Sequence, residues 1–163
     1  MFLDEDDTMT ELFKALKIEK NEEHQEINLV EISEDDLMEG NVVVDVTHST
    51  LNYKDGLAMT GSSPIVRNFP MIPGIDFSGV VRSSEDSEFS KGDRVVLNGY
   101  GLSESHYGGY SERARVNSKH LLKLPENISN HQAMQIGTAV IQLCYAFLVL
   151  KILELHQTVG KFL

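Results

Sequence analysis

Alternating apolar and polar positions predict a chain built mainly of short strands. Residues 42–47 form the clearest strand, in which Val42, Val44 and Val46 share one face. Further strands are predicted over residues 13–20, 27–32, 76–82, 94–97, 110–116 and 121–124. Many short strands separated by glycine and proline turns favour a compact β-barrel over alternating βαβ units.

Helices are predicted at two places. The polar run that starts at Asn52 follows the strongest strand and predicts a short helical segment. Ser129 and Gln132 have the spacing of a capping box, so a second helix should begin near Asn130. Residues 33–41 and the glycine-rich residues 99–109 are predicted loops, and residues 1–11 a loose acidic extension.

Composition narrows the classes of function. The 163 residues suffice for one domain with a core, and the formal net charge of −11 disfavours binding to nucleic acid or anionic membranes. The single cysteine, Cys144, excludes an internal disulfide and suits a reducing, cytoplasmic location. The longest uncharged stretch, residues 133–150, is at the lower limit for a membrane span, so a span is not favoured.

Asn52, Tyr53 and Asp55 are the first candidates for chemistry. They offer an amide, a phenol and a carboxylate just after a strand, and such groups can hold a carbonyl oxygen and relay a proton. The alternative is a polar turn whose Asn and Asp bond to nearby backbone groups. Spacing alone favours the turn.

Three other motifs are weaker. Asp76 lies between Gly74 and Gly79, which would permit positive φ or close packing, and it could orient a neighbouring side chain. The Gly99-Tyr100-Gly101 run is not a dinucleotide fingerprint, because Glu104 occupies the third glycine position. None of the six histidines pairs with cysteine or another histidine at metal-ligand spacing.

Four segments together resemble the medium-chain dehydrogenase/reductase superfamily. They are residues 49–55, 67–79, 92–95 and 108–112, and they are most similar to the quinone-oxidoreductase-like branch that includes the acrylyl-CoA reductases. The resemblance covers about residues 13–139. It implies a mainly β, partly open GroES-like barrel over residues 12–139, truncated before the Rossmann domain that binds NADPH in that family.

The resemblance also implies a site and a reaction. Zinc-dependent relatives carry Cys and His where this chain has Asn52 and Ile75, so it implies the zinc-free branch. That branch transfers hydride from NADPH to an activated alkene or quinone, the substrate being an acyl-CoA or a quinone, and the full-length enzymes are expected to be homodimers. Asn52 and Tyr53 would hold the carbonyl oxygen, with Tyr53 as proton donor.

The remaining roles follow the same resemblance. Asp55 and Asp76 would orient the two donors and complete the catalytic set. Asn52, Tyr53 and Thr138 would contact the cofactor, because Thr138 matches a residue near the nicotinamide in the family.

Residues 140–163 depart from the family pattern. One permitted back-translation of the residues from Val140 to Phe147 gives the codons GTT ATA CAG CTA TGT TAT GCG TTT. One G placed in front changes them to codons for Gly-Tyr-Thr-Ala-Met-Leu-Cys-Val, the family sequence. We therefore hypothesise that one base is missing after the Ala139 codon; a splice-variant tail and a deliberately shortened chain remain alternatives.

Two functional classes remain open. The first is a truncated NADPH-dependent reductase that is inactive alone, and the second is a stand-alone GroES-like binding module. A weak third alternative is a membrane protein anchored through residues 133–155. The apolar tail is expected to form a helix that covers part of the apolar surface left by the absent domain.

Resequencing the gene tests the missing-base hypothesis. The expected result is a second reading frame that continues a Rossmann strand downstream of the Ala139 codon. Downstream DNA without such a strand in either frame would reject it.

Overall fold

A computed structural model describes residues 11–22 and 24–159. It contains seven strands, β1 (Phe13–Lys20), β2 (Gln25–Ile32), β3 (Val42–Ser49), β4 (Asp76–Ser84), β5 (Arg94–Asn98), β6 (Arg113–Val116) and β7 (Leu122–Lys123). Two α-helices, α1 (Tyr53–Thr60) and α2 (Asn130–Val159), and two 3-10 turns, Glu34–Asp36 and Ser118–His120, complete the described elements.

The strands form two antiparallel sheets. β1 pairs with β2, and the other five lie in the order β6-β3-β4-β5-β7. Single bridges from Ala15 to Ser111 and from Ile18 to Met71 tie the small sheet to the larger one. The core lies inside the five-stranded sheet and contains Val42, Val44, Phe77, Val95 and Leu97. The predicted mainly β fold with short helical segments is confirmed.

All seven predicted strands are present, and their ends differ from the predicted ones by up to three residues. The strand predicted to start at Tyr110 begins at Arg113, because the backbone of Tyr110 and Ser111 is used to bond β1. The strand predicted over 121–124 has only two residues. The predicted loop 33–41 contains a 3-10 turn over Glu34–Asp36.

Gly74 and Gly79 have the predicted roles, which are a positive φ at Gly74 and close backbone packing at Gly79. Gly74 has φ +100°, a conformation that L side chains rarely adopt. A Cβ at Gly79 would approach the carbonyl oxygen of Asp45 in the neighbouring strand to 2.2 Å. Both positions therefore need glycine for the backbone to reach the edge where the polar residues meet.

A charged cluster on the outer surface links the residue Glu11 before β1 and the first 3-10 turn to β3, β4 and β6. The buried Arg113 guanidinium contacts Glu11 at 2.5 Å, Asp45 at 3.2 Å and Glu34 at 3.3 Å. Arg82 contacts the same three carboxylates. The hydrogen bond to Arg113 lowers the pKa of Glu11. Glu11 ends the predicted loose extension, so that residue is bound; residues 1–10 lie outside the described residues.

Helix α2 consists of two segments. Ser129 and Gln132 form the predicted capping pair, with bonds of 2.9 and 3.1 Å, and Ala133 and Met134 pack on the barrel. Gly137, at φ 50° and ψ −173°, interrupts the helix. Residues 139–152 are then exposed, so the expectation that the tail covers apolar barrel surface is wrong.

Within the described residues, one helix has the length and composition to cross a membrane. It runs over Asn130–Ile152 with a mean hydropathy of 1.8, and 17% of its most apolar window is buried. A single such helix is weak support for a span. The packing of its first turns on the barrel counts against one.

Stability should fall as the pH drops below about 4. The Ser118 hydroxyl, at 2.6 Å, and the Glu88 amide lower the pKa of Asp86. A carboxylate with a lowered folded-state pKa stabilises the protein above its unfolded-state pKa, and that contribution disappears as pH falls through the folded-state pKa. Asp86→Asn should therefore lower Tm by a few degrees at pH 7 and reduce the loss of Tm between pH 7 and pH 3.

Thermal unfolding followed by circular dichroism measures both quantities. Glu85→Gln is the matched control, because it removes the same charge from the exposed neighbouring residue. Equal Tm profiles for the two variants would contradict the assignment to Asp86.

Candidate functional site

Asp76 lies at the centre of a polar cluster at one edge of the barrel. It is the first residue of β4, and it is completely buried. Its position at the strand end directs its carboxylate towards the segment that joins β3 to α1 and towards α2.

Four residues donate hydrogen bonds to the Asp76 carboxylate. Oδ2 accepts from Thr50 Oγ1 at 2.8 Å, Asn52 Nδ2 at 3.0 Å and the Thr138 amide at 2.9 Å. Oδ1 accepts from Asn98 Nδ2 at 3.0 Å and Thr138 Oγ1 at 2.5 Å. Hydrogen bonds to a charged acceptor contribute about 1.5–3 kcal/mol each, so the cluster compensates the burial of the carboxylate.

The break in α2 brings Thr138 into this cluster. A Cβ at Gly137 would lie 2.8 Å from Thr50 Cγ2 and 3.2 Å from Asp76 Oδ2, so no side chain fits there without displacement. The helix restarts at Thr138, whose amide and hydroxyl both donate to Asp76. The carboxylate thus caps the second helical segment, where a negative charge is favoured.

Asp55 is the second buried carboxylate of the site. It lies in the first turn of α1 and accepts hydrogen bonds from the backbone N–H of Asn52 at 2.8 Å and from the backbone N–H of Ile75 at 2.9 Å. Asp55 therefore fixes the backbone of Asn52 while Asp76 fixes its side chain. The two carboxylates predicted to orient the donors do contact Asn52.

The side-chain donors of Asn52 already have hydrogen-bond partners, whereas the hydroxyl of Tyr53 faces solvent. Both side-chain N–H groups of Asn52 are engaged, since Nδ2 also lies 2.6 Å from Thr50 Oγ1. The side chain of Tyr53 is 84% exposed, so its hydroxyl is available to a partner outside the barrel. Of the predicted site residues, Asn52, Asp55, Asp76 and Thr138 are joined by hydrogen bonds, whereas Tyr53 adjoins Asn52 only along the chain.

The sequence prediction did not include Thr50, Asn98 and Tyr110. The Tyr110 hydroxyl donates to the Thr50 carbonyl at 2.9 Å, and burial together with the Asp55 and Asp76 charges raises the pKa of Tyr110. Tyr110 therefore stays a neutral donor at physiological pH. Thr50 and Tyr110 were in the segments that carried the family resemblance, but nothing in their spacing showed that they meet.

Tyr110 and Ser49 also border an open groove of about 390 Å³ between β1 and the end of β3. Ser49 Oγ donates to the Asp76 carbonyl at 2.6 Å, so the groove adjoins the cluster. No group of three or more potential metal-ligating side chains is found in the described part of the chain.

The described residues contain part of the site that the family resemblance predicts for a nicotinamide nucleotide. Asn52 and Thr138 donate to Asp76, and Tyr53, next to Asn52 in the chain, is exposed at the barrel edge. A glycine-rich strand–turn–helix that could hold phosphates is not present among the elements from β1 to α2. The Gly99–Gly101 run lies in a turn and is not followed by a helix.

Comparison with known proteins agrees with this architecture. The family model of the alcohol dehydrogenase GroES-like domain matches residues 38–126. The probable acrylyl-CoA reductase AcuI of Escherichia coli is 48% identical over 126 residues, which are 77% of this chain and 39% of that protein. The putative quinone oxidoreductase YhfP of Bacillus subtilis is 44% identical, covering 80% of this chain and 40% of that protein.

A solved structure gives the same result. The YhdH oxidoreductase of Salmonella enterica in complex with NADP superposes with a TM-score of 0.81 at 45% identity, over 85% of this chain and 43% of that one. This chain thus spans about two fifths of the length of these relatives. It belongs to the family of alcohol dehydrogenase GroES-like domains, and its relatives are nicotinamide-nucleotide-binding oxidoreductases.

Proposed function

We propose that residues 12–139 are the substrate-side barrel of an NADPH-dependent reductase. The proposed reaction is hydride transfer to an activated alkene, as in an acrylyl-CoA, or to a quinone. The five hydrogen bonds that gather Asn52 and Thr138 around Asp76, beside the exposed Tyr53, carry the proposal. The names of the relatives support it.

The division of roles follows from the contacts. Asp76 and Asp55 are positioning residues, because they hold the side chain and the backbone of Asn52. Asn52 in turn fixes the start of α1, from which the Tyr53 side chain extends into solvent. A phenol that extends from this fixed backbone can donate a hydrogen bond to a substrate carbonyl and then its proton.

NADPH, when bound, would supply the hydride. Its nicotinamide end would lie against the exposed Tyr53 at the barrel edge, with Asn52 and Thr138 held there by Asp76. A phosphate-binding element has to come from protein outside the described residues. We therefore propose that this chain alone does not catalyse the reduction and does not bind NADPH tightly.

Replacing the matching barrel of a relative by residues 13–139 of this chain tests the proposal. The E. coli acrylyl-CoA reductase is the suitable host at 48% identity. The chimera should oxidise NADPH in the presence of acrylyl-CoA. Tyr53→Phe should lower its kcat/KM about 100-fold or more, because proton donors contribute roughly that factor.

Tyr100→Phe is the matched control, since Tyr100 is another surface tyrosine, 67% exposed and outside the cluster. Its kcat/KM should equal that of the unmodified chimera. A folded but inactive chimera, or equal rates for Tyr53→Phe and the control, would contradict the site. Tight NADPH binding by the unfused chain in a fluorescence titration would contradict its proposed inactivity.

A further inference from the structure

Two histidines that are far apart in the sequence meet at the surface where β3 ends and α2 begins. His48 lies near the end of β3, and His131 lies in the first turn of α2. The centroids of the two rings are 5.5 Å apart, and the ring planes are inclined by 61°. Both residues are exposed. Spacing along the chain gave no sign of this pair, because its members belong to different elements.

The hydrogen bonds of Thr47 fix the tautomer of the neutral His48 ring. Thr47 Oγ1 accepts from Asn130 Nδ2 at 2.8 Å and donates its one hydrogen to the Ser78 carbonyl at 3.2 Å. His48 Nδ1, 3.1 Å from the same oxygen, is therefore the donor in that contact. In the neutral ring this leaves Nε2 with a free lone pair. Histidines that bind metals have this arrangement, since one ring nitrogen donates to the protein and the other contacts the metal.

The ring of His131 is free to adjust to its partner. It makes an edge-to-face contact with His48 and no hydrogen bond to the described residues. Rotation about its side-chain bonds therefore breaks no hydrogen bond and can turn a nitrogen towards His48 Nε2. The backbone beneath it is fixed, because Ser78 Oγ donates to the Asn130 carbonyl at 2.9 Å. One nitrogen of the pair is thus held in place, and the other can move to meet a shared ligand.

The separation of the rings fits a tetrahedral cation between them. Imidazole nitrogens lie about 2.0–2.1 Å from zinc and the ring centroid roughly 1.1 Å behind each nitrogen, so two imidazoles on a tetrahedral ion have centroids about 5.2 Å apart. Right-angled coordination, as on square-planar copper or nickel, would bring the centroids to about 4.5 Å. The observed 5.5 Å is closer to the tetrahedral value. Magnesium and calcium take oxygen ligands and do not fit two imidazoles.

We propose that His48 and His131 bind Zn²⁺, with water in the remaining coordination positions. The formal net charge of −11 favours a cation at the surface. The site differs from Asn52 and Ile75, where the family resemblance places the ligands of zinc-dependent relatives, and it does not depend on the proposed reductase function. The cation joins β3 to α2, so its binding stabilises the folded chain.

Isothermal titration calorimetry of the untagged full chain with zinc chloride tests the proposal. His48→Ala and His131→Ala should each weaken zinc binding at least about tenfold, because each removes one of the two protein ligands. His24→Ala is the matched control, since His24 is another exposed histidine and lies in the turn between β1 and β2. It should bind zinc as the unmodified chain does. In NMR spectra of the histidine rings, the signals of His48 and His131 should shift together as zinc is added.

Four results would overturn the proposal. The unmodified chain could fail to bind zinc at millimolar concentration, or His24→Ala could weaken binding as much as the other two variants. Loss of binding in only one of His48→Ala and His131→Ala would show that the pair does not act together. Equal affinity for magnesium chloride would assign the cation to carboxylates, because magnesium prefers oxygen. Circular dichroism of each variant shows that the barrel remains folded.

Discussion

The buried Asp76 carboxylate is the interaction on which the rest of the site depends. It collects donors from the β3–α1 segment, from β5 and from α2, which are far apart in sequence. A carboxylate without these donors would be too costly to bury, and the donors without the carboxylate would be buried and unpaired. The cluster therefore holds the barrel edge and the start of the second helical segment in one arrangement.

The sequence predicted the strands well because their patterns are local. Alternating valines located β3, and the Ser129–Gln132 pair located the start of α2. Boundaries failed where tertiary bonds replaced local ones, as at Tyr110, whose backbone pairs with β1. Ile27 and Leu29 fit the strand pattern of β2 but remain exposed, since pattern alone does not say whether a face is covered.

The site was only partly accessible from the sequence. Asn52, Tyr53 and Asp55 adjoin in the chain, and spacing alone favoured a local turn; Asp55 does make such a turn bond to Asn52. The link to Asp76 and Thr138 required the family resemblance, and Thr50 and Asn98 required coordinates. The local bond and the long-range cluster therefore coexist, so the turn and the site are not alternatives in the structure.

The contacts of the barrel and of Asp76 reach only the first part of α2. Up to Thr138 the helix is held by barrel contacts and by Asp76, and beyond it the residues are exposed. The boundary nearly coincides with Ala139, after which the sequence analysis predicts a departure from the family pattern.

Hydrogen–deuterium exchange at the Thr138 amide tests the central role of Asp76 most directly. In the unmodified chain this amide should exchange as slowly as those of β4, and in Asp76→Ala it should exchange at least about 100-fold faster while the amides of β3 stay protected. Rapid exchange of Thr138 in the unmodified chain, or unchanged protection in Asp76→Ala, would contradict the account.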